Sequence, residues 1–212
     1  MGTKPHPYHY WEDKNFIQRV IDIVIPAGLF YLYFQFYNFG QISPSEMIKT
    51  TGLWSISLLG ITLIVGPLSR IFPALSFLKA HRKFWGVLSL LIALTHVGLV
   101  FVYFYKFDVT KFWNFSNPKY SGIASGLLAI VILLMVTFTS NQKALAKLSP
   151  DAWKAIQTTS YIAMFFAIAH FYLMEQKDGI LVIKKLLGWA TFWFSIAVVT
   201  IRILVMFLPA KK

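Results

Sequence analysis

The chain has 212 residues, 57% of them apolar and only 13% charged, with a mean hydropathy of +0.62. A soluble domain carries about twice that share of charge, so the composition excludes a soluble enzyme or a disordered chain and indicates a multi-pass membrane protein. Twenty Lys and Arg against eight Asp and Glu leave a net charge of +12, which anionic headgroups account for without a nucleic-acid partner.

Residues 1–19 read as a cytoplasmic tail ahead of a single transmembrane domain over 20–212. Between Met1 and Asn15 charges mix with Tyr8, Tyr10 and Trp11, without the short apolar core and small-residue site of a removable signal peptide. His6 and His9 are too sparse there for a metal site. Apolar segments then follow at Val20–Phe39, Thr51–Leu68, Phe84–Tyr105, Gly122–Phe138, Ile156–Met174 and Leu186–Leu208. Each is long enough to cross the hydrocarbon core as a helix. Proline and charge clusters punctuate them, including Ser43-Pro44, Pro73, Asn117-Pro118 and Ser149-Pro150. The expected fold is an all-α membrane protein, a six-transmembrane-helix bundle. Within these residues little is left for a soluble nucleotide- or flavin-binding domain, which needs on the order of 100 residues. The absence of cysteine excludes disulfides and thiolate metal sites.

Loop charge orients the bundle. Lys4, Lys14, Arg19, Arg70, Lys79, Arg82, Lys83, Lys143, Lys147, Lys154, Lys211 and Lys212 lie on one side, against Lys49, Lys106, Lys111, Lys119, Lys177, Lys184 and Lys185 on the other. The positive-inside rule makes both termini cytoplasmic. The outer loop from Lys106 to Lys119 interleaves Phe107, Phe112, Trp113 and Phe115 with its basic residues, as an interfacial aromatic belt does.

Four ionisable residues fall clearly inside spans: Asp22, His96, His170 and Arg202. Asp22 and Arg202, toward the cytoplasmic ends of the first and last spans, are expected to pair or, for Arg202, to snorkel. His96 stands 13 residues beyond Lys83 and His170 stands 16 beyond Lys154. At 1.5 Å per residue these are about 20 and 24 Å from the cytoplasmic edge, so both imidazoles reach a similar depth in the outer half of the bilayer. At offsets −10, −7 and −3 from His96 stand Gly86, Ser89 and Ala93; the same offsets from His170 give Ser160, Ala163 and Ala167. These offsets share one helical face. Two small-residue grooves, each crowned by a histidine, would flank a slot for a flat macrocycle between helices 3 and 5, and haem iron accepts such ligands. Close helix packing is the structural alternative for the same small residues.

Thr51-Gly52-Leu53-Trp54 through Gly66-Pro67-Leu68-Ser69-Arg70 resembles the second helix of ferric reductase-like transmembrane proteins. Arg82-Lys83-Phe84-Trp85-Gly86 followed by His96 resembles that family's basic pair, glycine and haem-ligand histidine. Thr139-Ser140-Asn141 resembles the end of its fourth helix, and Trp153 through His170 its fifth. Within the family the chain resembles most the haem-binding membrane subunits of methionine sulfoxide reductase systems. The resemblance implies haem ligation, a quinol or cytoplasmic flavin donor, and an extracytoplasmic or membrane redox partner in a bacterial inner membrane. Members of that type usually carry another histidine 13 residues before the one matching His170, where this chain has Gln157. The matching part of helix 3 offers Arg82 and Lys83, with His81 just outside as an interfacial loop residue. One haem b is therefore expected, with Gln157 lining a quinone site or bonding between helices.

The functional expectation is an electron-relaying cytochrome b with His96 and His170 as axial ligands. The alternative is a haem-free or redox-silent scaffold subunit.

Overall fold

The computed structural model describes residues 15–207. The tail through residue 14, with His6, His9 and its aromatic residues, lies outside the described residues, as do Lys211 and Lys212. Helix α1 (Phe16–Leu32) starts at a capping box: Asn15 Oδ1 accepts from the Gln18 amide at 2.9 Å, and Gln18 Oε1 accepts from the Asn15 amide at 3.3 Å. It runs on into a π-helical turn, Tyr33–Tyr37. Helix α2 (Pro44–Ile71) begins with Ser43 as its cap and Pro44 in its first turn, where a missing amide costs nothing. A 3₁₀ segment, Pro73–His81, leads into α3 (Arg82–Tyr103). Then come α4 (Tyr120–Phe138), two short helices α5 (Gln142–Lys147) and α6 (Pro150–Thr158), and α7 (Ser160–Glu175). A hairpin of two-residue strands, β1 (Gln176–Lys177) and β2 (Ile180–Leu181), follows before α8 (Leu186–Met206). Its turn is Asp178-Gly179, both at positive φ, the conformation a tight two-residue hairpin requires.

Among the described residues five helical stretches are long and apolar enough to cross a membrane: Phe16–Tyr37, Pro44–Ile71, Pro73–Tyr103, Tyr120–Phe138 and Leu186–Met206. The sixth expected segment, Ile156–Met174, is divided between α6 and α7 at Thr159. The break has a local cause. Thr158, Thr159 and Ser160 each turn a hydroxyl back onto a carbonyl three or four residues earlier, at 2.8, 2.7 and 2.6 Å, a geometry that bends helices. The 16 residues of α7 alone extend about 24 Å.

Helix α2 is the axis of the bundle. Two thirds of its most apolar window is buried, against at most 28% for any other span. Helices α3 and α8 pack along it, and α4 pairs with α7. Ile56, Leu59 and Leu63 of α2 meet Leu90, Leu133, Ala163, Met164 and Val198 in the main core. Polar ties sit inside this apolar packing, where a hydroxyl without a partner is costly. Tyr33 Oη bonds both Ser57 Oγ and Thr191 Oγ1 at 2.6 Å, joining the first, second and last helices. Trp54 Nε1 donates to the Pro26 carbonyl at 2.9 Å.

The aromatic loop before α4 divides its residues. Phe112 packs against Phe101 and Tyr105, whereas Phe107, Trp113 and Phe115 are exposed. Lys119 Nζ donates to the carbonyls of Leu173 and Gln176 at 2.9 and 2.5 Å, capping α7 and fixing this loop beside the hairpin.

Two expectations for buried charge are corrected. Asp22 pairs with His81, whose Nδ1 lies 2.8 Å from its Oδ1, and not with Arg202. His81 is fully buried rather than an interfacial loop residue, stacked on the equally buried Trp85 with ring centroids 5.1 Å apart. The reason is the 3₁₀ segment, which folds His81 inward at the start of α3 instead of leaving it in a loop.

Candidate functional site

Helices α3 and α7 are not packed on one another; α2 lines one and α4 the other. His96, late in α3, and His170, late in α7, project into the space between. Their ring centroids are 6.1 Å apart with the planes at 86°. Each ring is anchored from behind. His96 Nδ1 donates to the Ile48 carbonyl at 2.9 Å and His170 Nδ1 donates to the Gly122 carbonyl at 2.8 Å. Both acceptors lie near the starts of helices, α2 and α4, that run opposite to the histidine-bearing pair. With Nδ1 holding the proton, Nε2 keeps its lone pair, the arrangement that makes an imidazole a metal ligand.

The rings rest on glycines. A Cβ at Gly52 would lie 3.2 Å from His96 Cε1 and Nδ1, and one at Gly126 would lie 2.8 Å from His170 Nδ1. A methyl group at Gly126 therefore forces the His170 ring to move, while Gly52 is merely tight. Gly52 belongs to the Thr51-Gly52-Leu53-Trp54 motif. Gly126 carried no signal of its own, because its partner lies 44 residues away on another helix.

The six small residues expected to line grooves below the histidines divide among four environments. Ser89 is fully buried against α2, its carbonyl accepting from Ser55 Oγ at 2.8 Å and its hydroxyl donating to the Gly86 carbonyl. Ala163 is fully buried in the main core and Ala167 packs against that core. Ala93 is half-buried, one turn from His96. Gly86 and Ser160 line a separate cavity toward the opposite end of the bundle. The α3 face thus meets α2 at Gly86, whose added Cβ would touch Thr62 at 3.5 Å, and at Ser89.

Gln157 also lines that second cavity. Its Nε2 donates to Ser140 Oγ at 3.0 Å and to the Val136 carbonyl at 3.3 Å, tying α6 to the end of α4. Trp153 Nε1 makes a parallel tie to the Thr139 carbonyl at 3.1 Å. The Thr139-Ser140-Asn141 motif is therefore the seat on which α6 docks.

A family model described as ferric reductase like transmembrane component matches residues 51–168. That region contains His96 and ends two residues before His170. Similar proteins include the protein-methionine-sulfoxide reductase heme-binding subunit MsrQ of Brucella anthropi, 27% identical over 141 residues, 66% of this chain and 62% of the relative. The protein of the same name from Caulobacter vibrioides is 23% identical over 133 residues, 63% and 62% of the two chains. That of Xanthomonas euvesicatoria is 27% identical over 156 residues, 68% of each. The chain therefore spans 62% of the length of the first two. With 118 of its 212 residues matched by one family model, this multi-pass chain belongs to the ferric reductase like transmembrane component family.

Proposed function

We propose that the chain is a membrane cytochrome b that holds one haem b between His96 and His170, relaying electrons from a quinol or membrane partner to an extracytoplasmic acceptor. The observation that carries the reading is the histidine pair. Metal–imidazole bonds run at about 2 Å, so two imidazoles sharing one metal from opposite sides have ring centres about 6 Å apart. The separation of 6.1 Å matches this, and both Nε2 lone pairs are left available by the Nδ1 hydrogen bonds. A haem held by these two histidines would supply one-electron transfer. The relatives named as heme-binding subunits support the same assignment.

The residues around the site hold it still. The Ile48 and Gly122 carbonyls fix tautomer and ring direction, and Gly52 and Gly126 let the supporting helices approach the rings. Ala93 and Ala167, one turn away, leave room beside them. A single haem fits the rest of the chain, because Gln157 is engaged by α4 and His81 is packed flat on Trp85 with no exposed surface. In the topology we infer, α6 and α7 together make a sixth crossing, both termini are cytoplasmic, and the histidines face the extracytoplasmic side of a bacterial inner membrane. The loop before α4 and the hairpin after α7 then form the face presented to the acceptor.

The test is a dithionite-reduced minus oxidised visible spectrum of the purified chain, with haem quantified against protein, followed by mixing with a reduced quinone analogue. One low-spin b haem per chain that the quinol reduces is the expected result. A chain isolated from its native membrane without haem would instead support the scaffold role.

Gly126 and Gly52 grade the same reading. Gly126→Ala should convert a substantial fraction of the haem from low to high spin, because the added methyl drives His170 off its Gly122 anchor. Gly52→Ala, with 3.2 Å to its histidine, should change the spectrum much less. Equal effects in the two variants would contradict the packing argument.

A further inference from the structure

At the opposite end of the helices from the histidines lies a cavity of about 490 Å³ enclosed by α2, α3, α4, α6, α7 and α8. Lys79, Arg82, Lys83, Lys154 and Arg202 line it, and among the described residues no Asp or Glu does. Arg82 is locked in place: its Nε donates to the Thr62 carbonyl at 2.9 Å, and its guanidinium lies over Gly66, where a Cβ would come within 3.4 Å. Arg202 enters from α8 with its guanidinium carbon 5.2 Å from the centre of the Tyr161 ring, and its buried Nε has no hydrogen-bond partner among the described residues. Tyr161 is itself held by a 2.8 Å bond from its hydroxyl to the Leu63 carbonyl. A cation–π contact offsets part of the cost of placing an arginine at this depth. It gives Nε no acceptor, and a charge inside a span ordinarily finds a counter-charge.

Arg202, Tyr161, Lys154 and Thr158 form a wall with a second hollow behind it, about 590 Å³ in volume, between α6–α7 and α8. Ile162, Val199, Ile203 and Met206 make that second space apolar, and Asp151 is its single acidic residue among the described residues. A chamber suited to an anion and a groove suited to a hydrocarbon chain thus meet at one arginine. A soluble phosphate would occupy the first and leave the second bare. A neutral quinone would occupy the groove without answering the charge.

We propose that these joined hollows bind one anionic phospholipid, its phosphate held by Arg202 and Lys154 and one acyl chain laid along Ile162, Val199, Ile203 and Met206. This site is independent of the haem assignment. Lipid binding there would brace α8 against the divided helix α6–α7, where the backbone ladder is interrupted.

The full chain, purified in detergent and delipidated, is to be titrated with phosphatidylglycerol and, separately, phosphatidylcholine. Native mass spectrometry counts retained lipid and thermal unfolding reads its effect. One phosphatidylglycerol per chain should persist and raise the unfolding temperature, while phosphatidylcholine should not. Each interfacial cation is worth about 1 kcal/mol toward anionic lipid, so Arg202→Gln should weaken retention roughly fivefold. Lys154→Gln, at an exposed position, should do the same in direction and serves if the arginine variant fails to fold. Equal retention of both lipids, or retention unchanged in Lys154→Gln, would overturn the proposal. So would competition for the site by inorganic phosphate, which would assign it to a soluble anion, or by a quinone analogue, which would assign it to a neutral ring.

Discussion

Replacing His170 by alanine is expected to abolish the low-spin haem spectrum of the purified chain, and His96→Ala should do the same. Loss of a hydrogen-bond partner behind a metal ligand commonly costs about 10- to 100-fold in affinity, and removing the ligand itself should cost more. Each variant should therefore be isolated with little haem, or with haem in a high-spin form. The two imidazoles differ in support: His170 lies closer to its glycine and to its carbonyl acceptor. His170 should consequently be the less replaceable. Glycine variants at the two positions, supplied with free imidazole, extend the test, because a small ligand enters a vacated imidazole space when the surrounding helices hold their shape. Recovery of the low-spin spectrum in His96→Gly would identify coordination as the lost function. Retention of a normal spectrum in either alanine variant would refute ligation by that residue, whatever the protein's stability.

The histidine pair was legible in the sequence because its signal is one-dimensional. Two helices running the same way, each measured from a basic edge, bring residues to matched depth if the counts match, and 13 and 16 residues nearly do. Membrane helices reward such counting, since the bilayer fixes both their length and their direction. Small residues at −10, −7 and −3 were legible only as permission for close approach. The neighbour they admit depends on which helices pair, and α3 pairs with α2 over much of its length. Ser89 and Gly86 therefore serve a helix contact that no count along α3 alone reveals.

The division of the sixth apolar segment shows a different limit. Hydropathy over Ile156–Met174 continues across Thr159, so a window average passes over the break. The signal was the run Thr158-Thr159-Ser160, three consecutive hydroxyls that compete for backbone carbonyls. Gln157 sits just ahead of that run. Its bonds to Ser140 and Val136 hold the end of α6 in the place where the chain departs from continuous helix.

Asp22 carried a sound inference toward the wrong partner. An acidic residue inside a span calls for a companion, and Arg202 was the only opposite charge within another span. The structure supplies His81, 59 residues along the chain, which the basic segment around it disguised as a loop residue. The consequence is measurable. Asp22→Leu leaves His81 Nδ1 without its acceptor in a position with no solvent exposure, where Nε2 already lacks a partner. An unsatisfied buried polar group costs about 1–3 kcal/mol, so thermal unfolding in detergent should move down clearly. Asp22→Asn keeps an oxygen able to accept from Nδ1 and should cost less. Neither variant should alter the haem spectrum, because His81 precedes His96 by 15 residues, about 22 Å along α3. Loss of haem in Asp22→Leu with an unchanged unfolding temperature would make His81 a ligand held by its carboxylate, and the single-haem reading would then fail.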